Sequence, residues 1–287
     1  MDAFKEEFKY YKCRRKVPDL SHVLDFLQPN EFPQLVRSTI VTSTASEKYG
    51  IAPHAEIACY RLSTNPGLIV IPNPFTVQGQ QLWIKKCLQL YPTIENLSNV
   101  PKDVARPEPN ASDFSTEFYK KLRWVTLGYH HNWDTKVYNL KNVSQFPECL
   151  GDLTCHLAKL IGHDNYLPQA AIVNYYRMNC TLSGHVDFSE FARTLPLFSI
   201  SFGQNAVFLI GGSTKEVKPT AVLLRSGDIV VMSGESRLAY HGVPLIVHAD
   251  GEGIWRDRIE KDSWKPFEDY VSKNRINLNV RQVFDVT

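Results

Sequence analysis

His185, Asp187 and His241 are the side chains in this sequence whose types and spacing could hold a metal ion. His185 and Asp187 are two residues apart in His185-Val186-Asp187, and in an extended segment such a pair projects to one side. His241, within Tyr240-His241-Gly242-Val243-Pro244 at the end of an apolar run, supplies a third ligand from far along the chain. Two imidazoles and one carboxylate occupy one face of an octahedral ion and leave its other positions open, the ligand set of non-haem Fe(II) oxygenases. His-x-Asp alone is equally readable as a structural or chance pair. The chain contains its own comparison in His248-Ala249-Asp250, which has the same spacing but no histidine after it. Only the first copy can be completed downstream.

Two further sets share the same alternation. Asn174 and Tyr176 lie on a strand-like run just before His185, and Arg275, Asn277 and Arg281 lie on the last such run at i, i+2 and i+6. Two arginines on one inward face repel unless an anion lies between them. A dicarboxylate such as 2-oxoglutarate meets that need: one carboxylate and the keto oxygen chelate iron, and the far carboxylate takes a forked arginine contact. Asn174 and Tyr176 add neutral donors. The competing reading puts each of these sets on the solvent face of edge strands.

Such side chains need a scaffold that gathers distant stretches. Short β-type runs at 170–177, 195–202, 206–210, 221–225, 228–232 and 276–284 are punctuated by Gly211-Gly212, Ser226-Gly227 and Ser233-Gly234. Many short strands between glycine turns predict a β-sandwich or jelly roll. Upstream, residues 2–12 place Phe4, Phe8 and Tyr11 on one helical face, and 19–27 read as a second short helix capped by Asp19. Lys12, Arg14, Arg15 and Lys16 form a basic cluster, either solvated surface or a phosphate contact. Residues 29–66, rich in Pro, Ser and Thr, read as an extended wrapping segment. A strand at 67–72 leads into a helix at about 76–90, and 122–132 and 147–161 read as strand and helix. Pro92, Pro101, Pro107 and Pro109 mark 92–113 as a mobile loop. The expected organisation is α+β: a helical and wrapping extension over 1–66 and a jelly-roll domain over 67–287.

Composition fits a water-soluble globular chain: 287 residues, 43% hydrophobic and 22% charged, with a net charge of +2. The six cysteines are scattered without a Cys-x-x-Cys pair, which favours free thiols in a reducing compartment over a zinc site or disulfide framework. Apolar runs fall far short of the roughly 20 residues of a spanning helix. Asp2, Glu6 and Glu7 interrupt any transit-peptide pattern. An intracellular monomer with no membrane association is the expectation, with nucleus, mitochondrion and cytoplasm not distinguished.

The order N-x-Y, H-x-D, H, R-x-N-x-x-x-R resembles the AlkB family of Fe(II)- and 2-oxoglutarate-dependent nucleic-acid dioxygenases. The matching residues are Asn174-Tyr175-Tyr176, His185-Val186-Asp187, 199–203 (SISFG), 227–243 (GDIVVMSGESRLAYHGV) and 275–282 (RINLNVRQ). Asp2-Ala3-Phe4, Phe75 with its Ile-Pro-Asn-Pro lead-in, and 122–129 (LRWVTLGY) are similar to the first eukaryotic branch of that family. The resemblance implies a double-stranded β-helix with N-terminal helices and lid segments. It implies that His185, Asp187 and His241 bind Fe(II), and that Arg275 grips the distal carboxylate of 2-oxoglutarate with Tyr176 and Asn277. Asn174 then reaches the cosubstrate from the opposite strand, and Arg281 lies nearer the iron, beside the proximal carboxylate or Asp187. The implied reaction uses O2 to remove N-methyl groups from bases such as methyladenine or methylcytosine in DNA or RNA, tRNA included, releasing formaldehyde and succinate.

A base must leave its stack to react, so single-stranded, bulged or stem-loop substrates are expected. For an aromatic platform the first candidate is Tyr129 in a Gly128-Tyr129-His130 turn, followed by His130 and Trp133, with Phe188 closing the other side. Each reads equally as core. His131 and His163 have no partner pattern and read as surface residues. Glu235 and Arg237 read as a structural ion pair near the ligands, and Asp228 as a turn residue. Lys120, Lys121 and Arg123 read as phosphate contacts or a solvated helix end. The rival functions are a protein side-chain oxygenase on the same iron core and an inactive nucleic-acid-binding relative. Loss of a metal ligand or cosubstrate arginine would mark the latter, and none is lost.

Overall fold

The computed structural model of the protein describes residues 1–13, 15–93, 95–249 and 261–285. Arg14 of the basic cluster and Asp250 of the second His-x-Asp lie outside the described residues. In chain order the elements are α1 (Ala3–Lys12), β1 (Leu35–Val41), β2 (Glu56–Leu62), β3 (Leu68–Ile71), α2 (Val77–Lys85) with a π-helical turn at Lys86–Leu90, β4 (Leu97–Ser98) and α3 (Glu117–Lys121). They continue with β5 (Trp124–Asn132), β6 (Val137–Val143), α4 (Glu148–Leu160), β7 (Ala170–Arg177), β8 (Leu182–His185), β9 (Leu197–Gly203) and β10 (Asn205–Ile210). The last are β11 (Thr220–Leu224), β12 (Ile229–Met232), β13 (His241–Val247), α5 (Lys261–Val271) and β14 (Asn274–Arg281).

The strands from β7 to β14 make the jelly roll. The chain passes back and forth between a sheet containing β12-β9-β14-β7 in that order and a second sheet, β11-β10-β13-β8. Leu197, Val230 and Met232 of the first sheet meet Ala206, Phe208, Ile210 and Ile246 of the second in one buried cluster. Alternation sends the other side chains of the first sheet outward, where Ile200, Ile276 and Leu278 pack with Trp83, Leu153 and Phe267 of the helical layer. Each such fully buried side chain stabilises the fold by about 1.5–3 kcal/mol.

α1 closes the opposite side. Asp2 caps it by accepting from the Lys5 N–H at 2.8 Å, and Phe4 and Phe8, with Tyr11, pack against Val207 and Leu209 of β10 and Ala221 of β11. The Phe4 ring lies so close beneath Gly184 that a Cβ there would sit 2.5 Å from it. The first helix therefore supports the strand that ends in His185.

Several upstream segments differ from expectation. Residues 19–27 are not a helix: Asp19 accepts from the Ser21 N–H and hydroxyl, both at 2.9 Å, and holds a turn. Leu24 then bridges β11 in parallel with Val222, and Asp25 takes a forked contact from Arg225 at 2.6 and 2.7 Å. Residues 29–66 do not merely wrap. β1 and β2 pair with each other, and β2 pairs with β3, extending the larger sheet. The proline-rich stretch around 92–113 contains β4, which pairs with β5, and Asn99 accepts from the N–H groups of Arg123 and Trp124 at 2.7 and 3.0 Å. Prolines break periodicity without freeing the chain.

Candidate metal centre and cosubstrate cavity

Antiparallel pairing of β8 with β13 sets His185 opposite His241, with ring centroids 4.3 Å apart. Asp187 lies two residues beyond the end of β8. The candidate ligand atoms of the three residues lie within 4.8 Å of one another. His185 Nδ1 meets the Ser183 carbonyl at 2.9 Å, and His241 Nδ1 meets the Ala239 carbonyl at 3.0 Å. A carbonyl only accepts, so each ring donates from Nδ1 and leaves Nε2 as the nitrogen that would ligate a metal. The two Nε2 atoms stand 3.8 and 3.9 Å from the Asp187 carboxylate oxygens, too far for hydrogen bonds. Burial, then the neighbouring His185, push His241 down to about 4, so it is a neutral donor near pH 7. The donor set fits a divalent ion of intermediate hardness such as Fe(II).

Burial alone would raise the Asp187 pKa, but Arg281 and the two imidazoles outweigh it and hold the carboxyl well below the usual range. Arg281 stands 3.2 Å from Asp187 and 2.9 Å from Glu190. Glu190 also accepts from Arg237 at 3.1 Å, and Arg237 donates to the backbone carbonyl of Asp187 at 2.8 Å. This buried set fixes both the charge and the position of the candidate metal carboxylate. Sequence reasoning missed Glu190. It also paired Arg237 with Glu235, whereas Glu235 is exposed and Glu190 is the partner.

β14 lies between β7 and β9, and register builds the polar wall of the cavity. Tyr176 faces Arg275, which faces Gly203; Asn174 faces Asn277, which faces Ser201. Arg275, 2% exposed, donates to the carbonyls of Gln204 at 2.8 Å and Leu224 at 3.3 Å and to the Ser201 hydroxyl at 2.6 Å. No carboxylate among the described residues forms an ion pair with it, and burial pushes it down to about 10. The sequence argument placed one anion between two arginines. The structure corrects it: Asp187 and Glu190 already neutralise Arg281, whereas Arg275 has no carboxylate within ion-pair distance among the described residues, and the buried Asp228 acts on it only from farther off. Asn277 is engaged by protein groups, donating to Ser199 Oγ at 2.9 Å and accepting from Asn279 at 2.8 Å.

His185, Asp187, His241, Asn174, Tyr176, Arg275, Asn277 and Arg281 all line one cavity of about 470 Å³. The size suits a small-molecule site. Its outer wall is not the one expected. The register of β5 with β6 shifts between Tyr129 and His131, and Gly128 has φ +69°. Gly128-Tyr129-His130 is thus a bulged stretch of strand rather than a turn, and alternation cannot be counted through it. Tyr129 packs edge-on against Phe284 at 5.0 Å. His130 is buried, its Nδ1 2.8 Å from Thr126 Oγ1. Gly128 lies against the Gln169 backbone, and Phe188 is exposed and outside the cavity lining. Of the expected rings only Trp133 lines the cavity, and with Lys136 so does His131, which the sequence pattern assigns to the surface. His131 meets Trp133 edge-on at 4.7 Å and contacts Ser189 Oγ at 3.0 Å.

Other charged candidates have local tasks. Asp228 accepts from the N–H groups of Arg225 at 2.7 Å and Asn73 at 3.0 Å and orders its turn. Lys121 pairs with Glu117 at 3.2 Å. Lys120, Lys121 and Arg123 are absent from the cavity lining. His248 is exposed, and His163 makes no contact with the cavity lining.

Residues 67–281 match the 2OG-Fe(II) oxygenase superfamily, the class of protein that this fold and site define. Within that class the chain belongs to the AlkB family: it is 36% identical to mouse nucleic acid dioxygenase ALKBH1, over 98% of this chain and 84% of that protein. The human protein of the same name matches to the same extent. The tRNA demethylase abh1 of Schizosaccharomyces pombe is 33% identical, over 98% of this chain and 96% of that one. The solved structure of OsALKBH1 superposes with a TM-score of 0.50 at 20% identity, over 76% of this chain and 97% of that chain, and supports the fold. The superfamily's requirements are Fe(II), 2-oxoglutarate and O2. No helix among the described residues is long and apolar enough to cross a membrane.

Proposed function

We propose that this chain removes N-methyl groups from nucleobases in DNA or RNA, using Fe(II), 2-oxoglutarate and O2 and releasing formaldehyde, succinate and CO2. The observation that carries the reading is the shared cavity: a His-Asp-His metal face and, on the adjoining strands, a buried arginine that makes no ion pair among the described residues. The names of the relatives supply the substrate class.

His185, Asp187 and His241 hold the metal, which when bound supplies oxidation of an unreactive C–H bond at the expense of 2-oxoglutarate. Arg275 takes the distal carboxylate of that cosubstrate by its fork, with Tyr176 and Asn174 beside it. Arg281, Glu190 and Arg237 keep Asp187 ionised and in place. The hydroxylated methyl group then leaves its nitrogen as formaldehyde without further help from the protein.

The cavity of about 470 Å³ has room for the cosubstrate and a base, and a methyl group reaches the metal face only if its base enters it. The target must therefore be flipped or already unpaired, which supports single-stranded, bulged and stem-loop substrates. Trp133 and His131 are the rings placed to flank it. The test is succinate and formaldehyde release on a panel of methylated oligonucleotides of these shapes, with His185→Ala and Arg275→Ala as controls. Formaldehyde with one substrate, absent in both variants, is the expected result. Succinate without nucleic-acid-dependent formaldehyde would move the target to a protein side chain, and neither product with metal bound would sink the enzyme reading.

A further inference from the structure

The loop that follows the metal carboxylate has two sides with opposite chemistry. Asp187 and Glu190 turn inward to Arg281 and Arg237. Phe188 and Phe191, each one residue further on, are 52% and 63% exposed. Phe191 is nonetheless fixed. Its N–H and that of Ala192 donate to the Val283 carbonyl at 2.8 and 3.1 Å, and Arg193 Nε donates to the Glu190 carbonyl at 2.8 Å.

The Phe191 ring stacks on Phe284, with centroids 5.4 Å apart and planes 18° apart. Phe284 and Tyr129 pack against the buried cluster of Tyr138, Ala170 and Val283, and Tyr138 meets the cavity-lining His131 edge-on at 5.2 Å. Through this cluster, a path of packed side chains connects the cavity-lining His131 to the exposed Phe191. Cations accompany it: Lys136 lies over Trp133 at 5.8 Å at the inner end, and Arg193 is exposed beside Phe191 at the outer end. A large apolar ring held rigidly in solvent contributes nothing to the core. A fixed π-face near cationic side chains, continuous with a nucleobase cavity, matches what unpaired nucleic acid recognises.

We propose that the Phe191–Phe284 pair is a stacking shelf for an unpaired nucleotide flanking the target base, so that the enzyme reads strand context outside its cavity. This rests on the nucleic-acid reading above and adds a second contact to it. Because base–aromatic stacking tolerates any base, the shelf selects for an unstacked neighbour rather than for a sequence.

The experiment uses the full chain loaded with Mn(II) and 2-oxoglutarate, so that binding is read without turnover. Stem-loop and single-stranded oligonucleotides carry the methylated base with 2-aminopurine at each flanking position in turn. Quenching at one flanking position is expected with wild type and Phe191→Trp, and its loss is expected with Phe191→Ala and Phe191→Leu. The two non-aromatic variants should bind about tenfold more weakly, within the roughly 5- to 150-fold range of one stacked base. Their thermal midpoint and their demethylation of a methylated nucleoside without neighbours should be unchanged with Fe(II). Equal oligonucleotide binding by all four proteins, with formaldehyde still released by wild type, would overturn the shelf alone. Failure of wild type to bind or demethylate any nucleic acid would overturn both readings, and full binding by Phe191→Leu with its loss in Phe191→Ala would overturn stacking in favour of a simple apolar contact.

Discussion

Replacing Arg275 by Met separates cosubstrate binding from folding more cleanly than any change at the metal ligands. The guanidinium is buried with three protein acceptors and no ion-paired carboxylate among the described residues, and Met keeps the length of the side chain without the fork or the charge. A forked contact with a carboxylate is two charge-assisted hydrogen bonds of about 1.5–3 kcal/mol each. Their loss, about 3–6 kcal/mol, weakens 2-oxoglutarate by about 150- to 20,000-fold. With cosubstrate at 100 times its wild-type Kd, binding stabilises the protein by about 2.7 kcal/mol. For a chain of this size that is a rise of roughly 4–5 °C in Tm. At the same concentration the variant gains less than about 0.4 kcal/mol, a shift near the limit of measurement.

Without cosubstrate two changes oppose each other in this variant. It no longer buries an unpaired charge, but the Gln204 and Leu224 carbonyls each lose a donor, at about 1–3 kcal/mol apiece. The ligand-free Tm should therefore move little. The assay is thermal unfolding in Mn(II) with a titration of 2-oxoglutarate, run beside Arg275→Lys, which keeps the charge but not the fork and should lie between the two. A full cosubstrate shift in Arg275→Met would refute the assignment. So would a ligand-free protein destabilised by more than about 3 kcal/mol, which would make Arg275 a structural residue.

Glu190→Gln should destabilise the fold by about 3–5 kcal/mol in urea unfolding, because it removes the partner that Arg281 and Arg237 share. His131→Ala and Trp133→Ala should raise KM for a methylated oligonucleotide about 5- to 150-fold and leave cosubstrate binding unchanged, whereas Tyr129→Phe should alter neither. Burial raises Asp228 from 3.8 to about 6, so between those values the folded state holds a proton that the unfolded state has released. Its contribution is present below pH 3.8 and lost as pH rises to about 6, a change of about 3 kcal/mol at most. The difference in urea midpoint between wild type and Asp228→Asn should follow that slope, and a flat difference from pH 4 to 7 would refute it.

Alternation made the inner wall legible in the sequence. Along β7 and β14 every second residue faces the cavity, so Asn174, Tyr176, Arg275, Asn277 and Arg281 could be grouped before their partners were known, and antiparallel register then sets them side by side. Where alternation ends, so did legibility. Glu190 lies in a loop, and its role depends on that loop closing over β14, which no spacing rule encodes. β1 and β2 were hidden because Pro, Ser and Thr obscure a pattern that pairing with β3 satisfies. The bulge in β5 is the most instructive failure. It separates Tyr129, which packs on Phe284, from His131 and Trp133, which line the cavity, although positions two apart in a regular strand share one face. The irregular outer wall can therefore vary with the substrate, while the regular strands hold the metal and cosubstrate residues in fixed register. The same physical difference separates the residues that counting could find from those that only the structure reveals.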